Sequence, residues 1–256
     1  MQIGEFLREK VLAVQEYSLL SWAAIGNIFR RPFYWNDLFT QADLIGIGSL
    51  PIVMLTGFFT GGVLALQSAT TLAQFGAKAV TGQLVSLSMI KELGPVLTSL
   101  MVSGRNASGM ASELGSMQVT EQIDAMRALG TDPIKKLVTP RLISTVVLMV
   151  FLTILSDAVG TLGGGLVGTT MLGLDGSQYF HMAYQYLRYP DILEGLLKPL
   201  IFGFIIATVG CYFGMSTRGG TQGVGRSTTQ AVVVSSVLII ATDFLISRLI
   251  IGVFGR

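Results

Sequence analysis

The chain has 256 residues, of which 51% are hydrophobic and 12% charged, about half the charged share of a soluble globular chain, so it cannot cover a water-facing surface of its own size. A net charge of +2 argues against a nucleic-acid partner, the single cysteine (Cys211) excludes an internal disulfide or a cysteine metal cluster, and one histidine (His181) leaves little room for a His-ligated metal. A mean hydropathy of +0.64 and 31 glycines fit an integral membrane protein with closely packed helices.

From Ile3 to Phe29, apolar residues recur at a helical period (Ile3, Phe6, Leu7, Val11, Val14, Leu19, Trp22, Ile25). Glu5, Arg8, Glu9, Gln15 and Glu16 lie between them. The order of a secretory signal is missing. This segment reads as a solvated cytoplasmic helix or as one lying in the membrane interface. The Arg30-Arg31 pair and the Phe33-Tyr34-Trp35 cluster after it have the composition of a headgroup layer, which favours the interface.

Five spans are predicted after residue 43. Leu44–Leu66 carries no charge over 23 residues, about 34 Å as a helix. Leu84–Gly104 follows, interrupted by Lys91, Glu92 and Pro95, and then a polar stretch from Arg105 to Arg141. Leu142–Gly168 contains Asp157; Met171–Glu194 is polar and aromatic; Pro199–Thr217 is the fourth span. A short polar loop, Arg218–Gln230, leads to Ala231–Phe254, which contains Asp243 and Arg248. The fold class expected is all-α and integral to the membrane, a single domain over 1–256. It divides into an anchor over 1–43 and a five-helix region over 44–254.

Basic residues set the orientation. With the N-terminus inside, the cytoplasmic segments hold eleven (Arg8, Lys10, Arg30, Arg31, Arg105, Arg127, Lys135, Lys136, Arg141, Arg218, Arg226). The outer segments hold three, Lys78, Arg188 and Arg256. The expectation is N-terminus in, C-terminus out.

No Gly-Lys dipeptide occurs, so a P-loop is absent, as are a Gly-x-Ser-x-Gly elbow, a His-Glu-x-x-His and a Cys-x-x-Cys. The chain is expected to catalyse nothing itself. Any uphill transport must draw on an ion gradient or on a separate ATPase. Within 105–141, Val119, Ile123, Met126 and Gly130 share one helical face while Glu121 and Asp124 share another. Gly130 suits a left-handed helix end, and Pro133 prevents continuation. This short amphipathic helix is either a knob for a soluble partner or a solvated loop helix.

In the second span, Pro95 crowds the carbonyl of Lys91 and predicts a kink. Glu92 lies 13 residues from Arg105, about 20 Å from the inner surface; Lys198, 20 residues from Arg218, lies about 30 Å from it. Charges at such depth must face protein or water. They form either a buried structural pair or the wall of an outward-opening pocket, and in the pocket each keeps some hydration. Lys91 and Glu92, about 100° apart on a helix, are not expected to share one seam. Asp157 and Asp243 are expected to pair with Lys91, Lys198 or Arg248. Gly57/Gly61, Gly160/Gly164/Gly168 and Gly210/Gly214 mark close helix contacts. His181 reads as interfacial and Cys211 as inert packing.

The sequences Lys91-Glu-Leu-Gly-Pro-Val96, Gly104-Arg105, Ala111-Ser-Glu-Leu-Gly115, Thr120-Glu-Gln-Ile-Asp-Ala125, Asp132-Pro133 and Pro140-Arg141 together resemble the MlaE/YrbE family, ABC-transporter permeases of the MCE lipid-transport systems. The resemblance covers nearly the whole chain; Asn106, Ser108 and Asp157 depart from it. It implies a homodimer in the bacterial inner membrane that moves phospholipid or a related lipid between that membrane and a periplasmic protein, a task tied to outer-membrane lipid asymmetry. The partners implied are a separate ATPase that carries ATP and Mg, a periplasmic MCE-domain protein and a STAS-domain protein. No cofactor is expected on this chain. Thr120, Glu121, Gln122, Asp124 and Arg127 would belong to the coupling helix that docks on the ATPase, and Lys91, Glu92 and Lys198 would line the lipid pocket. The rival readings are a proton-coupled carrier working through Asp157 and Asp243, and a non-transporting membrane anchor for an ATPase.

Overall fold

Polypeptide this apolar satisfies its backbone inside a membrane as helix, and in the computed structural model helices are the only regular elements among the described residues, 2–254. Met1, Gly255 and Arg256 lie outside them, and Arg256 of the basic tally with them. So do the side chains of residues 1–7, 9, 10, 253 and 254, which include Ile3, Glu5, Phe6, Leu7, Glu9 and Lys10 of the N-terminal pattern. Helix α1 spans Gln2–Ile28 and α2 spans Trp35–Ala73. The second span is a relay of α3 (Thr81–Ser88), a π-turn (Met89–Leu93), α4 (Gly94–Val102), a second π-turn (Ser103–Ala107) and α5 (Ser108–Val119). After α6 (Gln122–Ala128) and a π-turn at Ile134–Val138 come α7 (Thr139–Thr170), α8 (Gly176–Gln185), α9 (Tyr189–Met215) and α10 (Gly220–Phe254).

Five helical stretches are long and apolar enough to cross a membrane: Trp35–Ala73, Lys78–Val119, Ile134–Thr170, Tyr189–Met215 and Gly220–Gly252. Their number agrees with the sequence reading, but their ends do not. At 39 residues, α2 is about 58 Å long, nearly twice a hydrocarbon core. The stretch expected to be polar loop from Arg105 is helical to Val119, the expected loop Arg218–Gln230 is helical from Gly220, and the polar stretch 171–194 contains all of α8 and the start of α9. Polar residues end a hydropathy plot without ending a helix.

The residues group into two units. The first comprises Met1–Ile45, Ser103–Val146 and Phe204–Ser236. In it, Leu20, Ser21, Ala24 and Asn27 of α1 are buried, while Val11, Val14, Leu19, Trp22 and Phe29 are exposed. The apolar stripe of α1 therefore faces away from the protein, and its smaller, more polar face packs. Tyr17 shares a 2.8 Å hydrogen bond with Thr208 and sets its ring edge-on to Tyr212, and Asn27 donates to Asp132 at 3.2 Å. Lys136 pairs with Asp37 at 2.7 Å and lies 4.3 Å from the Tyr34 ring centroid. Gly210 and Gly214 admit Ala107, Met110 and Leu114 of the second span, and Cys211 is buried there, as expected of inert packing.

The second unit comprises Gly46–Val102, Val147–Gly203 and Val237–Arg256. Here α2 and α7 touch backbone to backbone. A Cβ on Gly61 would overlap the Gly160 carbonyl, and one on Gly57 would come within 2.8 Å of the Ser156 carbonyl. The Gly57/Gly61 and Gly160/Gly164 motifs thus do what their spacing predicts. Helix α8 packs on α3 through buried Tyr179, whose hydroxyl donates to the Thr161 carbonyl at 3.4 Å; burial pushes this phenol above its ordinary pKa, with the nearby Tyr184 adding to it. His181, on the same helix, is exposed.

Candidate functional site

The most heavily charged cluster of the second unit forms where the second span meets α9 and α10. In α9, Asp191, Glu194 and Lys198 are spaced i, i+3 and i+7, which aligns them on one helical face. Lys91 pairs with Asp191 at 3.0 Å and with Glu194 at 3.6 Å. Lys198 pairs with Glu92 at 2.7 Å, Glu194 at 3.1 Å and Asp243 at 3.0 Å. Ser247 of α10 donates to the other Glu92 oxygen at 3.1 Å.

Two corrections follow. Lys91 and Glu92 were expected to diverge, yet both reach the same face of α9. The π-turn Met89–Leu93 widens the helix at these residues, and long side chains cover the remaining angle. Asp157 and Asp243 were each expected to pair with Lys91, Lys198 or Arg248; Asp243 pairs with Lys198, but Asp157 forms no ion pair among the described residues, and exposed Arg248 pairs with neither aspartate. Asp191 and Glu194 were missed because they lie in a stretch read as loop. Their helical spacing with Lys198, behind Pro190, was the available signal.

Pro95 explains a further contact. It offers no N–H to the Lys91 carbonyl four residues back, and Lys198 donates to that carbonyl at 2.8 Å. The expected kink takes the form of the π-turn just before Pro95, where local widening relieves the ring.

Burial is uneven. The Lys198 side chain is 0% exposed and that of Glu194 4%, whereas those of Glu92 and Lys91 are 44% and 36% exposed. Lys198 therefore keeps none of the hydration the pocket reading required of it, and Glu92 keeps much. The cluster has a dry centre that ties three helical segments together and two open ends of opposite charge, Lys91 and Glu92. Its formal balance is two ammonium groups against four carboxylates (Glu92, Asp191, Glu194, Asp243).

The second candidate lies in the other unit. The short amphipathic helix, expected to include Thr120 and Glu121, begins after them and spans Gln122–Ala128; Thr120 caps α5, and Glu121 is a turn residue with φ of 59°, a left-handed conformation that non-glycine residues rarely adopt. Ile123 is fully buried, while Thr120, Glu121, Gln122, Asp124 and Arg127 are exposed, so the two faces divide as the spacing predicts. Gln122 donates to the Thr120 hydroxyl at 2.9 Å, and Arg127 pairs with Asp124 at 2.8 Å. Gly130 closes the helix with φ of 77°, and Thr131 N–H donates back to the Met126 carbonyl at 2.9 Å. Leu129 beside it is 84% exposed.

Residues 38–249 match the family described as Permease MlaE. The chain belongs to that family. Among curated relatives of this permease family, a probable ABC transporter permease protein of Rickettsia bellii is 44% identical over 96% of this chain and 95% of its own length. The intermembrane phospholipid transport system permease protein MlaE of Haemophilus influenzae is 34% identical over 84% of this chain and 83% of its own. The chloroplastic protein TRIGALACTOSYLDIACYLGLYCEROL 1 of Arabidopsis thaliana is 36% identical over 90% of this chain and 65% of its own. Members of the family are transport subunits, and this chain is a multi-pass membrane protein of the ABC permease type.

Proposed function

We propose that the chain is the membrane-spanning subunit of an ABC transporter that moves phospholipid. A homodimer in the bacterial inner membrane would pass lipid to or from a periplasmic MCE-domain protein. The energy would come from ATP and Mg on a separate ATPase, with a STAS-domain protein as a further partner. The observation that carries this reading is the family match over residues 38–249, in which one relative is named for intermembrane phospholipid transport.

In this reading Thr120, Glu121, Gln122, Asp124 and Arg127 present the coupling element to the ATPase on the cytoplasmic side. The exposed stripe of α1 lies in the headgroup layer of the same side. Lys91 and Glu92 offer opposite charges to a zwitterionic or anionic headgroup, and Lys198 holds Glu92 in place from behind. The test is charge reversal at the coupling element. The Glu121→Lys, Asp124→Lys double variant should lose the ATPase on co-purification while the permease stays folded in the membrane. An unchanged complex with unchanged ATP hydrolysis would remove the docking assignment.

A further inference from the structure

Asp157, in the middle of α7, has a carboxyl that nothing among the described residues answers. The residue is only 9% exposed, its Oδ1 lacks any hydrogen-bond partner, and no Lys or Arg among the described residues forms an ion pair with it. The lysines of the neighbouring cluster are engaged by Asp191, Glu194, Glu92 and Asp243. The nearby Thr161 hydroxyl is committed to Asp157's own main-chain carbonyl at 2.8 Å. The packing nevertheless accommodates the carboxyl, because a Cβ on Gly94 would overlap Oδ1. A glycine at 94 thus lets α4 approach α7 with the acid still between them.

Asp157 lines a cavity of about 270 Å³ whose other walls include Ile90, Ile154, Ala158, Tyr184 and Ile192. Ile154, Tyr184 and Ile192 are exposed at its rim, so the cavity is open and a ligand can enter it. An acidic side chain inside a membrane span is costly when unanswered and marks functional sites for that reason. Oδ1 itself is sealed against Gly94, so the cavity is met by the rest of the carboxyl, which no donor among the described residues reaches. Ionised or protonated, a carboxyl keeps an oxygen that only accepts, so the complementary group is a hydrogen-bond donor, and the cavity wall is otherwise mostly apolar. The complementary ligand is an amphiphile with an apolar body and one O–H or N–H group.

We infer that the Asp157 cavity is a lipid-binding subsite that prefers lipids whose head carries a donor hydrogen, an amino or a hydroxyl group, over a fully methylated head. This deepens the transport reading by naming the lipid class, and it involves a different carboxyl from the Lys198 cluster.

The test uses the full-length chain in phosphatidylcholine nanodiscs doped with a lipid carrying a photoreactive acyl chain. Its head is phosphatidylethanolamine, phosphatidylglycerol or phosphatidylcholine. Labelling of peptides containing Ile154 and Ile192 should favour the ethanolamine and glycerol heads over choline by roughly three- to tenfold, the ratio one hydrogen bond supplies. A preference for ethanolamine alone identifies the ammonium as the donor, and equal preference for both identifies any donor hydrogen. Asp157→Val should equalise the three heads without lowering choline labelling. Ala158→Phe, which fills the cavity and leaves the carboxyl in place, should reduce labelling by all three. Equal labelling of the three heads by the native chain overturns the subsite, as does a preference that survives Asp157→Val. The assay needs no ATPase and no transport. Its failure removes this subsite alone, whereas failure of the coupling-element test bears on the transport reading.

Discussion

Lys198 is the residue on which the charged cluster depends. Its ammonium, fully buried, faces Glu92, Glu194 and Asp243 within 3.1 Å. Removing one partner of a buried ionic cluster strands the others, at a cost of about 3–5 kcal/mol. Lys198→Met, which keeps the length of the side chain and loses its charge, should therefore sharply lower the yield of folded permease and its melting temperature in detergent. Glu92→Ala removes an acid that is 44% exposed, and Lys198 retains two carboxylates without it. That variant should fold with a melting temperature close to native, and in the proposed transporter it should slow lipid transfer. If Glu92→Ala proves as unstable as Lys198→Met, Glu92 is a structural partner and the headgroup role falls. The sequence alone marked both residues by depth, since a charge far from either surface needs an explanation. It did not mark Glu194, whose spacing with Lys198 gains significance only once the helix is seen to start at Tyr189, before hydropathy rises.

At the scale of elements, two kinds of glycine occupy the long helices, and spacing alone does not separate them. Gly61 stands where α2 meets the Gly160 carbonyl of α7, and no Cβ fits there. Gly225, in the interior of α10, has nothing within 4 Å of where its Cβ would lie. Gly61→Ala should force the two backbones apart at a cost of roughly 1–3 kcal/mol, the usual penalty of overpacking. Gly225→Ala should instead stabilise by about 0.5–1 kcal/mol, because alanine loses less entropy in a helix. Thermal unfolding of the two single variants, followed by loss of the monodisperse peak in detergent, reads both signs. The same distinction explains the misplaced helix ends. In α5, Ser108, Ser112, Glu113 and Ser116 give the stretch a polar composition, yet Met110, Ala111 and Leu114 between them are buried. They pack beside Gly210 and Gly214 of α9. A tertiary partner sustains this helix, and a window of local hydropathy cannot register it.

For the whole molecule, the decisive quantity is which side of the membrane each connection faces. The basic residues predict that the α5–α6 region and the turn before α10 are cytoplasmic, while the turn after α2 and the stretch between α7 and α9 lie outside. Five spans demand such alternation, and an even number would place both ends on one side. The sequence offers a clean way to test it, because the chain's one native cysteine, Cys211, is buried and should stay silent toward an aqueous thiol reagent. Leu129, Phe75, Met171 and Arg218 are all exposed, so a single cysteine at each should react whenever the reagent is on its side. In intact spheroplasts treated with a membrane-impermeant maleimide, Phe75→Cys and Met171→Cys should be labelled. Leu129→Cys and Arg218→Cys should be protected until the membrane is opened. The reverse pattern would invert the orientation and put Glu121 and Asp124 on the outer side, away from any ATP-hydrolysing partner, so the proposed coupling element would fall with it. Labelling of Leu129→Cys together with Phe75→Cys in intact cells would be more damaging. The second helical stretch, Lys78–Val119, would then not cross the bilayer, and Lys91 and Glu92 would lose the membrane depth on which the headgroup argument rests.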